Sequence, residues 1–411
     1  MKKRNIFFII MILIVILLIP ILFFTLNFYR ISFIIYETNS ISIDGGANDA
    51  DAALGITYSE DGFLYVTGFI TVPGQGKDIW LAKFDMDLNL EKNISINYFG
   101  NGDDIGYTLF LDNHGFLYLV GYVTNIGDNQ DIFIGKFNCT DLSLTKAINI
   151  NGPDNSTDEG YGVLFDENNN IFYIAGTLTE PSEGYNIFIS KLDLDLTILK
   201  SVSLNGPSNS TDKARFLVLD NNDHLYVSGS KSQEGSGYDL WFGKFFTNLT
   251  FIDEIIISSP TEGEDKGYGM VFDGYDTLYL TGTLNHSTQG FNIFLGKYDL
   301  DLNHIKNITI NGPINGEDVA YTLVLQNNLL FQTGVYSEIS GGSNIWIAAY
   351  NTNMVLKRFE TVDGSANNYD TGYGIISKFG STFLISGSIT ESLEGPNIWI
   401  GEYFMGETAL I

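Results

Sequence analysis

Apolar runs of four to eight residues, rich in β-branched and aromatic side chains, alternate along most of the chain with clusters of Gly, Asn, Asp and Pro. That pattern predicts strands joined by turns. One kind of run, ending in glycine, occurs seven times: LYVTG at Gly68, LYLVG at Gly121, FYIAG at Gly176, LYVSG at Gly229, LYLTG at Gly282, LFQTG at Gly334 and FLISG at Gly387. The steps between these glycines are 52 to 55 residues. Twelve residues after each glycine stands an aromatic: Trp80, Phe133, Phe188, Trp241, Phe294, Trp346 or Trp399. All length variation therefore falls in other connections.

Each unit reads as four strands. Strand a is a stretch such as GYGVLFD, and strand b ends at the repeat glycine. Strand c is a run such as DIWLAKF, and strand d one such as KNISINY. Four antiparallel strands repeated seven times predict an all-β fold, a seven-bladed β-propeller over residues 39–411. Residues 39–44 match the strand d sequences, and the chain stops soon after the seventh strand c. Those residues are expected to complete the last blade and remove an exposed edge.

The segments GITYSEDGFLYVTGF (55–69) and DIWLAKFD (78–85) resemble the SBBP family of β-propeller repeats. The resemblance spans about residues 39–405 and implies a surface or extracellular location and a role in interaction, with no single activity attached.

The N-terminus departs from the strand pattern. A basic stub, residues 1–5, carries Lys2, Lys3 and Arg4; Ile6 to Phe24 then holds no charge. Nineteen helical residues span roughly 28 Å, close to a bilayer's hydrocarbon core. Residues 6–29 are therefore expected to be a transmembrane signal anchor, with 30–38 a short linker. The basic stub stays cytoplasmic and the propeller lies on the extracellular side of the cell membrane as a single-pass protein. A cleaved signal peptide is the other reading of this segment; both export the propeller.

Charge narrows the partners. The 49 Asp and Glu against 21 Lys and Arg give a net charge of −28, which excludes nucleic acid as the main partner. Cys139 is the single cysteine, so neither a disulfide nor a thiol metal pair is available within the chain.

An aspartate opens every strand a: Asp51, Asp104, Asp158, Asp212, Asp265, Asp318 and Asp370. In a propeller this set surrounds one mouth of the channel, and a carboxylate ring suits calcium. The alternative is that each accepts backbone N–H bonds in its own loop, as its repetition in every blade favours. Five blades carry tyrosine three residues later (Tyr107, Tyr161, Tyr268, Tyr321, Tyr373), whereas the fourth carries Arg215, beside Lys213. An asymmetric ligand needs such a break, which makes Arg215 a candidate ligand-binding residue; neutralising nearby aspartates is its alternative role. His286, the histidine expected on the same face, is the other candidate.

Asp85-Met-Asp87-Leu-Asn89 and its relatives at 193 and 299 lack the glycine and glutamate of an EF-hand and read as hairpins. The lysine three residues after the strand c aromatic (Lys83, Lys136, Lys191, Lys244, Lys297) becomes Ala349 and Glu402 in the last two blades, a change that reads as surface drift. Asn-X-Ser/Thr sequons, such as those at Asn93 and Asn307, suit an exported chain.

No nucleophile motif or catalytic residue set emerges. The expected function is a membrane-anchored binding or adhesion scaffold for an extracellular protein or glycan ligand. The alternatives are an extracellular hydrolase or lyase acting on a polysaccharide, and a structural subunit of a surface-layer or envelope complex.

Overall fold

The computed structural model describes residues 31–409 apart from 48, 100–101, 126–128, 236, 261–262, 340–341, 367, 379 and 393–394. The expected transmembrane segment, residues 6–29, lies outside the described residues. Seven antiparallel sheets, each with four strands in the order a-b-c-d, form the blades, and blade 4 adds a short parallel strand at Gly263–Glu264. Strand a of blade 1 packs beside strand a of blade 7, which closes the ring.

Register explains the twelve-residue spacing. Each repeat glycine lies opposite its strand c aromatic, as in Gly68↔Trp80, Gly229↔Trp241 and Gly387↔Trp399. The b–c hairpin therefore fixes both positions. The aromatics are buried, and the core is divided into seven clusters, one between each pair of neighbouring blades.

The glycine does not end strand b, as the sequence suggests; strand b of blade 1 runs Phe63–Val72 and passes through Gly68. Glycine is required there because strand a crosses it. A Cβ on Gly229 would lie 1.8 Å from the Lys213 carbonyl oxygen, and on Gly68 1.9 Å from that of Ala52.

Blade 7 is completed from the N-terminus. The closing strand Ile31–Ile43 pairs with strand c of that blade, Pro396–Ala409, from Ile31↔Ala409 to Ile43↔Ile398. It is longer than the expected 39–44. Residues 31–38, read above as linker, continue the ladder because the apolar ISFIIY segment keeps a strand partner, and Ile35 is buried in the blade 6–7 core.

A further departure concerns the strand c lysines. In blades 2 to 5 the ammonium and the strand b tyrosine hydroxyl donate to one carbonyl in the next blade's c–d turn. Tyr118 and Lys136 reach Leu194 O at 3.0 and 2.9 Å, and Tyr226 and Lys244 reach Leu300 O at 2.9 and 2.7 Å. Lys244 is buried. The loss of this lysine at Ala349 and Glu402 is therefore not surface drift: the tyrosine opposite it is lost as well, to Phe331 and Leu384. The closing ladder replaces the c–d turn that blade 6 would have bonded. In blade 7, Lys378 restores the link from another strand end by pairing with Glu402 and donating to Met86 O at 3.2 Å.

The Asp-Leu hairpins are as expected. Asp85 Oδ1 accepts from the amides of Asp87 and Asn89 at 3.0 and 2.8 Å, and Leu88, with φ of 63°, folds its buried side chain back into the core.

Candidate functional site

Strand a lines the channel, and a β-bulge sets its chemistry. In six blades the a–b register slips across one residue: Leu54, Tyr107, Tyr161, Arg215, Tyr321 or Tyr373. In blade 5 it slips across Tyr268 and Gly269. A bulge re-aims its extra side chain, here into the channel. The aromatic rings then meet neighbour to neighbour, with centroids 5.0 Å apart for Tyr107–Tyr161, 4.9 Å for Tyr268–Tyr321 and 5.2 Å for Tyr321–Tyr373. The Arg215 guanidinium fills the gap, 5.9 Å from the Tyr161 centroid and 5.0 Å from that of Tyr268. Its Nη1 donates to Ser230 Oγ at 2.9 Å. The result is an arc of six π-systems interrupted by Leu54. Beneath it the channel holds a cavity of about 390 Å³.

The seven aspartates do not converge. Each is at most 1% exposed, and each carboxylate accepts two backbone N–H bonds, one from the incoming d–a loop and one from strand b. Asp158 takes Gly152 N at 2.5 Å and Thr179 N at 2.6 Å; Asp370 takes Gly364 N and Thr390 N, both at 2.6 Å. The aspartate amide donates to strand c of the preceding blade, as Asp212 N does to Tyr185 O at 2.8 Å. Each is thus a staple between loop, sheet and neighbouring blade, with the backbone N–H bonds that the alternative reading of these aspartates describes. Among the described residues no three His, Cys, Asp or Glu side chains are grouped to hold a metal ion.

Burial raises the pKa of these aspartates against the opposing pull of the backbone bonds, to about 6 for Asp104, Asp158 and Asp370. A carboxyl with a folded-state pKa above its unfolded value favours the fold fully below the unfolded value, and that contribution fades as pH rises through about 6. Falling negative charge acts in the same direction. The melting temperature is therefore expected to rise by a few degrees from pH 8 to pH 5, measured by scanning calorimetry; a maximum at pH 8 would contradict this.

The sequence reading missed the feature that most strongly breaks the seven-fold pattern. The residue after each repeat aspartate is uncharged in blades 1, 2, 6 and 7 (Ala52, Ile105, Val319, Thr371) and charged in blades 3 to 5 (Glu159, Lys213, Lys266). In the same three blades the residue entering the apolar run of strand c is aromatic: Tyr185, Tyr238 and Phe291. These groups interlock at the d–a/b–c mouth. Lys213 pairs with Glu159 at 3.1 Å, contacts the Tyr161 hydroxyl at 2.6 Å, and lies over the rings of Tyr161 and Tyr185. Tyr161 donates to Glu159. Lys266 pairs with Glu264 at 3.0 Å and lies over Tyr238 and Phe291. Burial lowers the Lys213 pKa, and Glu159 opposes that. The short strand at Gly263–Glu264 brings Glu264 beside Tyr238, whose hydrogen bond lowers the glutamate's pKa.

Arg215 thus belongs to this constellation, and its guanidinium meets Ser230 and two tyrosine rings rather than the repeat aspartates. His286 does not join it: it is the half-buried last residue of strand b in blade 5, where Nδ1 faces the Thr288 hydroxyl at 3.3 Å, and it does not line the channel cavity.

Comparison with known proteins finds no matching family model and no matching curated protein. Solved structures do match. They include a putative 6-phosphogluconolactonase from Bacteroides uniformis, at 14% identity over 76% of this chain and 86% of that one, with a TM-score of 0.47. A periplasmic gluconolactonase from Pseudomonas aeruginosa matches at 10% identity over 75% and 85%, with a TM-score of 0.50. Sqt1 from Chaetomium thermophilum matches at 9% identity over 91% and 100%, with a TM-score of 0.49. At such identities the likeness is one of fold: the chain is a seven-bladed β-propeller of four-stranded antiparallel blades.

Proposed function

We propose that this chain is a membrane-anchored, outward-facing propeller of SBBP type that binds an extracellular protein or glycan through its d–a/b–c mouth. The observation that carries the reading is the charged residue directly after the repeat aspartate, which blades 3 to 5 have and the other four lack. The other blades show that the fold accepts small or apolar residues at the positions of Glu159, Lys213 and Lys266. Interlocked cations, carboxylates and aromatic rings on a rigid scaffold suit recognition of a polar, asymmetric surface.

Strand direction supports the orientation. The closing strand starts at the a–b/c–d end, because Ile31 pairs with Ala409. An anchor in residues 6–29 would hold that end near the bilayer and turn the charged mouth away from it.

The test uses the full chain in nonionic detergent against an array of surface glycans and extracellular proteins. A Lys213→Ala/Lys266→Ala variant is expected to lose at least about tenfold in affinity for whatever ligand is found, as loss of two interface anchors implies. Lys146→Ala, on an outer strand, should bind as the parent does. Equal binding by parent and double variant would sink the reading.

A further inference from the structure

The cavity beneath the arc carries a separate message. Aliphatic side chains form much of its wall, among them Leu54, Ile56, Val163, Leu323 and Ile375, and the tyrosine rings line the rest. Its volume of about 390 Å³ falls within the range of small-molecule sites, about 300–1,000 Å³. Arg215 lines it too, and among the described residues no lysine, aspartate or glutamate does so.

Lys213 and Lys266 are each matched by a glutamate, but no carboxylate lies within ion-pair distance of Arg215 among the described residues. A guanidinium held among aromatic and aliphatic groups without a counter-ion is costly. The fold does not demand it, since five other blades place tyrosine there and the arc would continue through a sixth. In a chain of net charge −28 the arginine is thus a local exception in sign as well as in repeat position.

We propose that the channel cavity is a binding site for a small amphipathic carboxylate. The acid group would lie against Arg215, whose planar fork accepts a carboxylate bidentately. Its apolar body would replace water against the aliphatic wall and the tyrosine faces. This site lies beneath the mouth proposed above, shares Arg215 and Tyr161 with it, and takes a different ligand.

The experiment is a calorimetric titration of the full chain in nonionic detergent with 3-phenylpropionate and with 3-phenylpropan-1-ol, which has a similar shape but no charge. The acid is expected to bind at least tenfold more tightly than the alcohol. Arg215→Tyr, which restores the repeat residue, should remove that preference. Arg215→Gln should do the same and covers the case in which an added tyrosine disturbs the arc. Ile375→Trp, which fills the cavity, should weaken both compounds. Equal affinity for acid and alcohol, no acid binding at millimolar concentration, or acid binding unchanged in both Arg215 variants would each overturn the proposal.

Discussion

Gly229→Ala is expected to destabilise the propeller by about 3 kcal/mol or more, at or beyond the upper end of ordinary overpacking. The added Cβ would lie 1.8 Å from the Lys213 carbonyl oxygen, a backbone atom that cannot swing aside as a side chain does. Strand a has little room to retreat, because its bulge already places Arg215 in the channel and Ala214 is fully buried. The equivalent glycines meet the same obstacle, at 1.9 Å for Gly121 and 2.2 Å for Gly387, so the effect should recur in any blade. Denaturant unfolding of parent and variant measures it. A change below about 1 kcal/mol, within the range of tolerated core swaps, would show that strand a can move.

Removing the closing strand should have the larger effect. A chain beginning at residue 44 leaves the final blade with three strands and strips the partner from the Pro396–Ala409 strand. It also takes Ile35 from one inter-blade core and Ile41 and Ile43 from the packing of another. An unpaired edge of that length recruits other chains. The truncated protein is expected to melt more than ten degrees lower or to aggregate on expression. A synthetic peptide of residues 31–43 should restore the monomer. A truncated monomer with parental melting behaviour would contradict closure through this strand.

Much of this was legible in the sequence. The recurrence of glycine and aromatic at a fixed spacing of twelve reports a hairpin register, and seven such hairpins leave few alternatives to a closed ring. Periodicity could not show that the glycine lies inside strand b, since the atom that forbids a side chain there belongs to strand a. Nor could it distinguish Lys244 as a buried clasp from a solvated lysine, because the carbonyl it bonds belongs to the next blade. ISFIIY reads as linker beside a long apolar segment and becomes strand only when its partner at residues 404–409 is in place.

The candidate site divides in the same way. The aspartates were the most visible positions and are structural, since a turn needed in every blade repeats in every blade. Arg215 was visible as a break in the tyrosine pattern. Glu159 and Lys266 were equally readable two positions earlier in the repeat, in a comparison of the residue after each aspartate. Glu264 did not stand out, because the position before the repeat aspartate also holds Asp103 and Glu317, and the same parallel pairing brings Thr211, Glu317 and Tyr369 to strand c.

The central claim is that the charged mouth of blades 3 to 5 is kept for binding and not for folding. It is tested most directly by returning those positions to the pattern of the other blades. The variant Glu159→Val/Lys213→Val/Arg215→Tyr/Lys266→Val removes two ion pairs and the unmatched arginine together and leaves no lone charge from either pair except Glu264, which is half exposed. Replacing semi-buried ion pairs by apolar groups is often neutral or stabilising by about 1–4 kcal/mol. The account predicts a melting temperature equal to the parent's or a few degrees above it. A fall of more than about five degrees, a loss of several kcal/mol by the usual conversion, would instead make the cluster part of what holds the propeller together.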